Sequence, residues 1–330
     1  MRVLMDNEVS KEQWESIYLS NFFSSPFQSH SFYSFFNSIE GLSANVFACE
    51  KNNEIVALCV VTLQKEKGFK GYFSRRAIIY GGPLLSLNNL QAVDTLFEKI
   101  KAYYQRKAIY IEIRNYFDFS EYLKVFYRLE FHYLPWLNYQ VPTLNLDEIR
   151  KNMSSSRLRQ VKKAFKNGVI WKEASSIEEV KAFYSIISNL YQNKIKKPLL
   201  PESFFLEFYK QNIGKYLLVV YQNIIIGGIM CPVAPAKCIY EYYICGLDNE
   251  YKEQYPSVMA TWAAMEYAHN NGIPMFDFMG AGNPNEDYGV REFKARFGGN
   301  EVNYGRFIYI LNPILYNLGK IGLKFLQKIK

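Results

Sequence analysis

The chain has 330 residues, a net charge of +8 and five cysteines, and 17 % of its residues are aromatic. This length predicts two domains or one large one, and an apolar content of 49 % is enough to build their cores. No apolar run approaches the length of a membrane-spanning helix, and the N-terminus lacks the pattern of a signal peptide. The three histidines are scattered and the cysteines form no CxxC, so we expect no metal site and interpret the cysteines as buried reduced thiols of an intracellular protein.

The first half, residues 1–142, reads as helices around a mixed sheet. The predicted elements, in chain order, are a helix capped by Ser10, a helix over Ser31–Ile39, a hairpin over Asn45–Leu63, a strand over Ala77–Tyr80, a helix over Asn89–Arg106, a strand over Ala108–Arg114, a helix over Ser120–Arg128 and a strand over Tyr133–Val141. A hairpin followed by helix–strand crossovers predicts an α/β domain with a mixed sheet.

The second half, residues 143–312, repeats this order of elements. A basic helix over Leu146–Asn167 leads into it, and the later elements are a hairpin over Tyr216–Val233, a strand over Cys238–Cys245, a helix over Pro256–Asn270, a strand over Met275–Phe278, a helix over Glu286–Arg296 and a strand over Val302–Leu311. A repeat of this length predicts a duplicated domain rather than a solenoid. The boundary is predicted near Pro142.

The last residues, 313–330, form a basic amphipathic helix. Apolar residues such as Leu315 and Leu318 recur on one side, and Lys320, Lys324 and Lys328 recur on the other. The pattern fits a helix docked on a domain, and it also fits contact with the anionic inner surface of a membrane.

Positive charge concentrates in one segment. Arg150–Lys172 contains eight basic residues and no acid, which equals the net charge of the whole chain. The segment fits an ordinary solvated helix face. It also fits a surface that binds phosphates, because arginine makes bidentate contacts with them.

The stretch Ile273–Asn300, IPMFDFMGAGNPNEDYGVREFKARFGGN, combines a short buried strand, a glycine turn and a short helix. Asp277 lies at the end of the strand, and the helix carries Arg291, Phe293 and Lys294. These residues form a candidate site, although a plain strand–loop–helix connection with a surface lysine has the same pattern.

Three segments resemble a known family. They are LPWLNYQVPTLNLDEIRKNMSSSRLRQVKKAFKNG, YEYYICGLDNEYKEQYPSVMATWAAMEYAHNNG and FDFMGAGNPNEDYGVREFKARFGG, which begin at Leu134, Tyr240 and Phe276. With the duplication, they are similar to the Fem-type family within the GNAT acyltransferase superfamily. The resemblance implies two tandem GNAT-like domains, and transfer of an aminoacyl group from tRNA onto an amine of a peptidoglycan precursor.

The resemblance places Phe293 and Lys294 in the transfer site. The lysine is expected to stabilise the oxyanion that forms when an amine attacks an ester, and the phenylalanine to exclude water. Asp277 and Glu241 are the candidate bases that accept the proton of the amine. Each has a plainer alternative, since Asp277 fits a cap of the following turn and Glu241 fits a partner of a neighbouring lysine.

The substrate-binding residues are expected around the same site. Arg157 and Arg159 are the preferred ligands for phosphates of the acceptor, and Arg291 is a further candidate. Four aromatic residues are candidates for lining an acceptor cleft between the domains, with core packing as the alternative for each: Tyr243, Tyr255, Trp136 and Tyr139.

Two departures bear on the donor. The coiled-coil arm of many Fem proteins is absent between Lys172 and Tyr216, and the loop Leu247–Pro256 has no glycine and three acids, which disfavours an acyl-CoA donor. We expect a cytoplasmic monomer or weak dimer with aminoacyl-tRNA as donor and no tightly bound cofactor. The alternatives are an acyl-CoA-dependent N-acyltransferase of envelope polysaccharide or amino-sugar metabolism, and a non-catalytic protein that binds a nucleotide-sugar or a membrane surface.

Overall fold

A computed structural model describes residues 1–66, 68, 70–86 and 89–328, which form two compact units. Unit 1 comprises Met1–Pro135 and Tyr304–Lys330, and unit 2 comprises Trp136–Asn303. The chain therefore leaves unit 1, builds all of unit 2 and returns to unit 1.

Unit 1 holds one mixed sheet. Its strands are β1 Arg2–Met5, β2 Ser43–Lys51, β3 Glu54–Gln64, β4 Arg76–Gly81, β5 Leu84–Leu85, β6 Tyr110–Asn115, β7 His132–Leu134 and β16 Arg306–Ile310. Its helices are α1 Lys11–Ser20, α2 His30–Asn37, α3 Lys70–Ser74, α4 Leu90–Tyr104, α5 Leu123–Arg128 and α12 Pro313–Lys328. The strand order is β1-β2-β3-β4-β6-β16-β7, with β5 also paired to β3. Only β4 and β6 among these described strands run parallel.

Unit 2 repeats this sheet. Its strands are β8 Asn138–Pro142, β9 Ile170–Glu173, β10 Gly214–Tyr221, β11 Ile224–Ala234, β12 Cys238–Tyr240, β13 Tyr243–Gly246, β14 Met275–Asp277 and β15 Asn300–Val302. Its helices are α6 Leu146–Asn152, α7 Ser155–Lys166, α8 Ile177–Leu190, α9 Glu202–Lys210, α10 Pro256–Asn270 and α11 Gly289–Ala295. The order is β15-β8-β14-β12-β11-β10-β9, with β13 paired to β11 and with β12 and β14 parallel. The predicted α/β class with two similar mixed sheets is confirmed.

Each predicted half contributes one strand to the sheet that the other half was expected to form alone, which the sequence did not reveal. The predicted strand Tyr133–Val141 is two strands, of which β7 joins the first sheet and β8 the second. The predicted strand Val302–Leu311 divides in the same way into β15 and β16. Pro135 lacks the N–H that would continue the first ladder, and Gly305 breaks the second with a positive φ of 66°. The units therefore divide after residues 135 and 303 rather than at the predicted residues 142 and 312.

Two further predicted elements are interrupted. The basic helix Leu146–Asn167 is two helices, because the chain is extended at Met153 and the Ser154 hydroxyl then caps α7 by accepting the N–H of Arg157. The strand Cys238–Cys245 is broken at Glu241 and Tyr242, and this break places a carboxylate beside the end of β14.

The C-terminal helix α12 is present as predicted up to Lys328, and the predicted continuation to Lys330 lies outside the described residues. Leu315 is buried, whereas Leu318 is half exposed. Across the described residues, no helix combines the length and the apolar character needed to cross a bilayer. Contact of α12 with a membrane surface stays a prediction.

Candidate active site

The candidate site is built on a tight turn at the end of β14. Met279 has a positive φ of 56°, a left-handed conformation that is uncommon for a residue other than glycine. Two side chains hold the turn: Asp277 Oδ1 accepts the Met279 N–H at 2.6 Å, and Asn138 Oδ1 accepts the Gly280 N–H at 2.7 Å. These bonds fix the direction of the backbone carbonyls in the turn.

Asp277 is fully engaged in this turn. Asn138 Nδ2 donates to Oδ1 and Gln140 Nε2 to Oδ2, both at 2.9 Å. Burial raises the pKa of the carboxyl, and these hydrogen bonds oppose that effect. The structure thus contains the turn cap that was the plainer alternative for Asp277, and both of its oxygens already accept a hydrogen bond.

Lys294 reaches the same turn from α11. Its Nζ donates to the carbonyl oxygens of Phe278 at 2.7 Å and Gly280 at 2.8 Å, and it lies 2.9 Å from Glu241 Oε1. The side chain is only 10 % exposed. An ammonium has three N–H groups, and all three have acceptors here. The predicted oxyanion contact therefore requires Lys294 to exchange one of these bonds.

Glu241 lies at the point where two parallel strands separate. Its N–H donates to the Asp277 carbonyl at 2.9 Å, and the next N–H, of Tyr242, donates to Met230 on β11 instead. The Glu241 side chain is 5 % exposed, and Oε2 has no hydrogen-bond partner among the described residues. Burial raises the pKa of this carboxyl, and the Lys294 ammonium opposes the rise.

A buried carboxylate oxygen without a donor is uncommon and marks a place for water or for a substrate group. A raised pKa also brings a carboxylate closer to the range in which it accepts a proton at neutral pH. The geometry therefore favours Glu241 over Asp277 as the base, because only Glu241 has an oxygen to spare. The plainer alternative for Glu241 was an ion pair with a neighbouring lysine. That pair is present, and its lysine is Lys294.

Phe293 and Arg157 pack against each other beside Lys294. The Arg157 guanidinium lies 4.5 Å from the Phe293 ring and 4.8 Å from the Phe297 ring, and Nη2 donates to the Phe293 carbonyl at 3.3 Å. Arg157 is 5 % exposed, and burial, with Arg296 nearby, lowers its pKa to about 10. This placement differs from that of a phosphate ligand. Arg157 instead joins α7 to the helix that carries Lys294.

Arg291 is occupied by the loop before α11. Its guanidinium donates to four carbonyls between β14 and α11, those of Ala281, Asn283, Pro284 and Glu286. The fork of arginine donors suits such a cluster of acceptors. Arg291 therefore shapes the loop, and its predicted contact with substrate stays a prediction.

The remaining predicted residues occupy other parts of unit 2. Arg159 is exposed on α7, and Trp136 is half-buried, with its backbone N–H donated to Asn303 Oδ1. Tyr139 is buried, and burial together with its hydrogen bond to Glu301 raises its pKa to about 12. The Tyr243 ring packs 5.0 Å from that of Phe205. Tyr255 starts α10 with a positive φ of 49°.

The start of α10 carries its own carboxylate. Asp248 accepts the Ser257 N–H at 3.0 Å and the Ser257 hydroxyl at 2.5 Å. The free N–H groups at a helix N-terminus are a common binding site for phosphates. Here the Asp248 carboxylate, which is negatively charged like a phosphate, already occupies that position.

Within the described ranges, no three His, Cys, Asp or Glu residues are placed to hold a metal ion. All five cysteines are buried and unpaired, as expected.

Sequence reasoning missed the residues that hold the turn. Asn138 and Gln140 alternate along β8, and this spacing of two polar residues on one face of a strand was a usable signal. The partner carbonyls of Lys294 had no such signal, since every residue carries a carbonyl.

Known proteins are similar to this chain in sequence and in fold. The model of the FemAB family matches residues 222–323. Aminoacyltransferase FemA of Staphylococcus epidermidis is 24 % identical over 389 aligned residues, covering 88 % of this chain and 92 % of FemA. The chain is therefore similar to Fem proteins over most of its length.

The fold of this chain is also that of two solved structures. The crystal structure of FemX matches with a TM-score of 0.72 at 17 % identity, covering 96 % of this chain and 99 % of FemX. A tandem GNAT protein from the clavulanic acid biosynthesis pathway matches with a TM-score of 0.60 at 8 % identity, covering 94 % and 99 %. The tandem GNAT-like fold is thereby confirmed, and the relatives named aminoacyltransferases support the expected acyltransferase activity.

Proposed function

We propose that this chain transfers an aminoacyl group from aminoacyl-tRNA to a primary amine of a peptidoglycan precursor. The observation that carries the chemistry is the buried Lys294–Glu241 pair, with Glu241 Oε2 left without a donor. Burying two charges is costly, and an unsatisfied carboxylate oxygen adds to that cost. A function for the pair explains why the fold carries it.

In the proposed reaction the amine nitrogen attacks the ester carbonyl carbon of the aminoacyl-tRNA. A C–N bond forms and the ester C–O bond breaks. Glu241 Oε2 accepts the proton that leaves the nitrogen, and that proton is returned to the ribose oxygen of the departing tRNA. Lys294 keeps Glu241 ionised and holds the turn. On exchanging one carbonyl for the developing oxyanion, it stabilises the tetrahedral intermediate.

The acyl-CoA alternative is less well supported. A CoA donor carries a diphosphate, and the N-terminus of α10 holds the Asp248 carboxylate on its first available N–H. Like charges at this position oppose diphosphate binding. The non-catalytic alternative is also less well supported, because the similar proteins are named aminoacyltransferases.

The proposed partners follow from the donor and the acceptor. Aminoacyl-tRNA and a precursor with a free amine meet at unit 2 in the cytoplasm, with no tightly bound cofactor. Contact with the inner membrane surface and a monomeric or weakly dimeric state are further parts of the proposal.

A transfer assay tests the function. The protein is incubated with tRNA charged with labelled amino acids and with a peptidoglycan precursor that has a free amine, and the precursor is analysed for label. We expect label in the precursor, and none in a matched precursor whose amine has been acetylated. Failure to transfer from any charged tRNA, with acylation of the same precursor by acyl-CoA, would overturn the proposal.

A further inference from the structure

The outward face of α7 carries a row of positive charges. The helix buries Arg157, Val161 and Ala164, whereas Arg159, Lys162 and Lys166 are exposed. Because successive residues of a helix are rotated by about 100°, these three cations lie within about 60° of one another and opposite the buried side. We call Arg159, Lys162 and Lys166 the α7 stripe.

The charges of the α7 stripe are uncompensated, unlike those of their neighbours. Three other cations of the basic segment pair with acids, as Arg150 with Asp147, Lys163 with Glu253 and Lys172 with Glu179. In the part of the chain that the structure describes, no carboxylate lies within 4 Å of the stripe cations. Like charges three and four residues apart destabilise a helix, so a purely solvated face would favour mixed signs.

The dimensions of the stripe suit a polyanion. Arg159 and Lys166 are about 10 Å apart along the helix axis at 1.5 Å per residue. One strand of duplex DNA presents a phosphate roughly every 3.4 Å along its axis, so a polynucleotide backbone offers several phosphates over this length. Phe165, which flanks the stripe, is 42 % exposed and offers a face on which a base can stack.

The helix that carries the stripe also contacts the helix of the candidate site. The Ser154 N–H donates to the Arg296 carbonyl at 2.9 Å, and Arg157 Nη2 donates to the Phe293 carbonyl at 3.3 Å. Both bonds join the first turn of α7 to the helix that carries Lys294. A polyanion bound along α7 is therefore held on an element that contacts the transfer helix directly.

We propose that the α7 stripe binds the sugar-phosphate backbone of an RNA, which in the proposed function is the donor tRNA; the inference rests on that function. A lipid surface fits less well, because an interfacial helix buries a broad apolar face. Along α7, all of whose residues are described, Phe165 is the single exposed large apolar side chain. Arg157 takes no part in the contact, since its guanidinium is buried under Phe293.

The test compares two triple variants of equal charge change. The stripe variant is Arg159→Gln, Lys162→Gln and Lys166→Gln; the control is Arg106→Gln, Lys99→Gln and Lys124→Gln, three exposed cations of unit 1. Binding of uncharged bulk tRNA is measured by fluorescence anisotropy over a salt series, with binding to anionic phosphatidylglycerol vesicles in parallel. We expect the stripe variant to raise the Kd about tenfold or more and to flatten the slope of log K against log salt by roughly two to three. The control should change the Kd by less than about twofold.

Equal tRNA affinity and salt slope in the stripe variant and the wild type would overturn the inference. Loss of vesicle binding with unchanged tRNA binding would also overturn it, and would assign the stripe to a membrane. The transfer assay separates this inference from the function on which it rests. If the wild type binds tRNA through the stripe but transfers no aminoacyl group, the proposed function is contradicted and RNA binding by the stripe is supported. If the stripe variant transfers with an unchanged KM for charged tRNA, RNA binding by the stripe is contradicted, whereas the proposed function is not.

Discussion

Glu241 Oε1 and Lys294 Nζ lie 2.9 Å apart in a buried ion pair whose side chains are 5 % and 10 % exposed. Lys294 Nζ also donates hydrogen bonds to the carbonyl oxygens of Phe278 and Gly280 in the turn after β14. The glutamate keeps its other oxygen without a partner among the described residues. The pair thus joins a fixed cation to a carboxylate that can still accept a proton.

Replacing the lysine tests its part in transfer. Lys294→Met should lower the transfer rate by about 10²–10³-fold, the usual loss when a charge that stabilises an oxyanion is removed. Transfer from charged tRNA is the measurement, and Lys181→Met, at an exposed position on α8, is the control. A rate within about twofold of wild type would remove Lys294 from the mechanism.

Folding must be separated from chemistry in this experiment. Removing one member of a buried ion pair costs about 3–5 kcal/mol, because the other charge is left uncompensated. The double variant Lys294→Met with Glu241→Gln carries no buried charge, so it should be more stable than Lys294→Met alone. Both variants should be inactive. If Lys294→Met lost activity only through unfolding, the more stable double variant would regain it.

The base role of Glu241 has a signature in the pH dependence of the rate. Burial raises its pKa above 4.5 in the folded protein, so the ionised form that accepts a proton is lost as the pH falls through that raised value. The wild-type profile of kcat/KM against pH should show an acid limb that Glu241→Gln lacks, on top of a rate lowered by about 10²–10⁴-fold. An acid limb that persists unchanged in Glu241→Gln would assign it to another group.

The turn that Lys294 caps depends on Asn138. Its side chain donates to Asp277 at 2.9 Å and accepts from Gly280 at 2.7 Å. Asn138→Ala leaves both groups without this partner, which should lower the free energy of unfolding by about 1–3 kcal/mol. Urea unfolding measures the loss, with the exposed Asn249→Ala as control. Equal stability of the two variants would show that the turn holds its shape without Asn138.

Unit 1 should lose stability in acid through Glu112. Burial disfavours its ionised form, but the guanidinium groups of Arg114 and Arg306 outweigh this and lower the pKa to about 2. A pKa lowered on folding gives stability that is complete above the ordinary value of 4.5 and is lost as the pH falls towards 2, on the order of 3 kcal/mol. Hydrogen exchange of unit 1 peptides between pH 6 and pH 3 should show this loss in the wild type. Glu112→Gln should already be less stable at pH 6, and its stability should change less between pH 6 and pH 3. A pH dependence of stability equal to that of the wild type would contradict this role of Glu112.

Local patterns in the sequence were sufficient for most elements of the fold. The capping serine at Ser10, the asparagine turn between β2 and β3 and the proline that starts α10 each mark a boundary through short-range chemistry. The strand exchange was missed because β8 and β16 have ordinary strand sequences, and nothing local tells a strand which sheet it joins.

The candidate site was predicted only in part, because local sequence does not specify the contacts between distant segments. Asp277 stands out as an acid among apolar residues, whereas Lys294 and Glu241 were assigned through the resemblance to the Fem-type family. The structure brings Lys294 and Glu241 into contact. Arg157 was assigned to phosphate binding on its charge alone, whereas its burial follows from packing against Phe293, which is 136 residues away in the chain. Burial of one residue in a basic helix depends on contacts that its own segment does not specify.

The central claim, that the donor is an aminoacyl-tRNA, is tested most directly by donor binding. The purified wild-type protein is titrated with acetyl-CoA and with bulk aminoacyl-tRNA at two salt concentrations. We predict saturable aminoacyl-tRNA binding that weakens at the higher salt concentration, with no binding of acetyl-CoA. Saturable binding of acetyl-CoA without binding of aminoacyl-tRNA would contradict the claim.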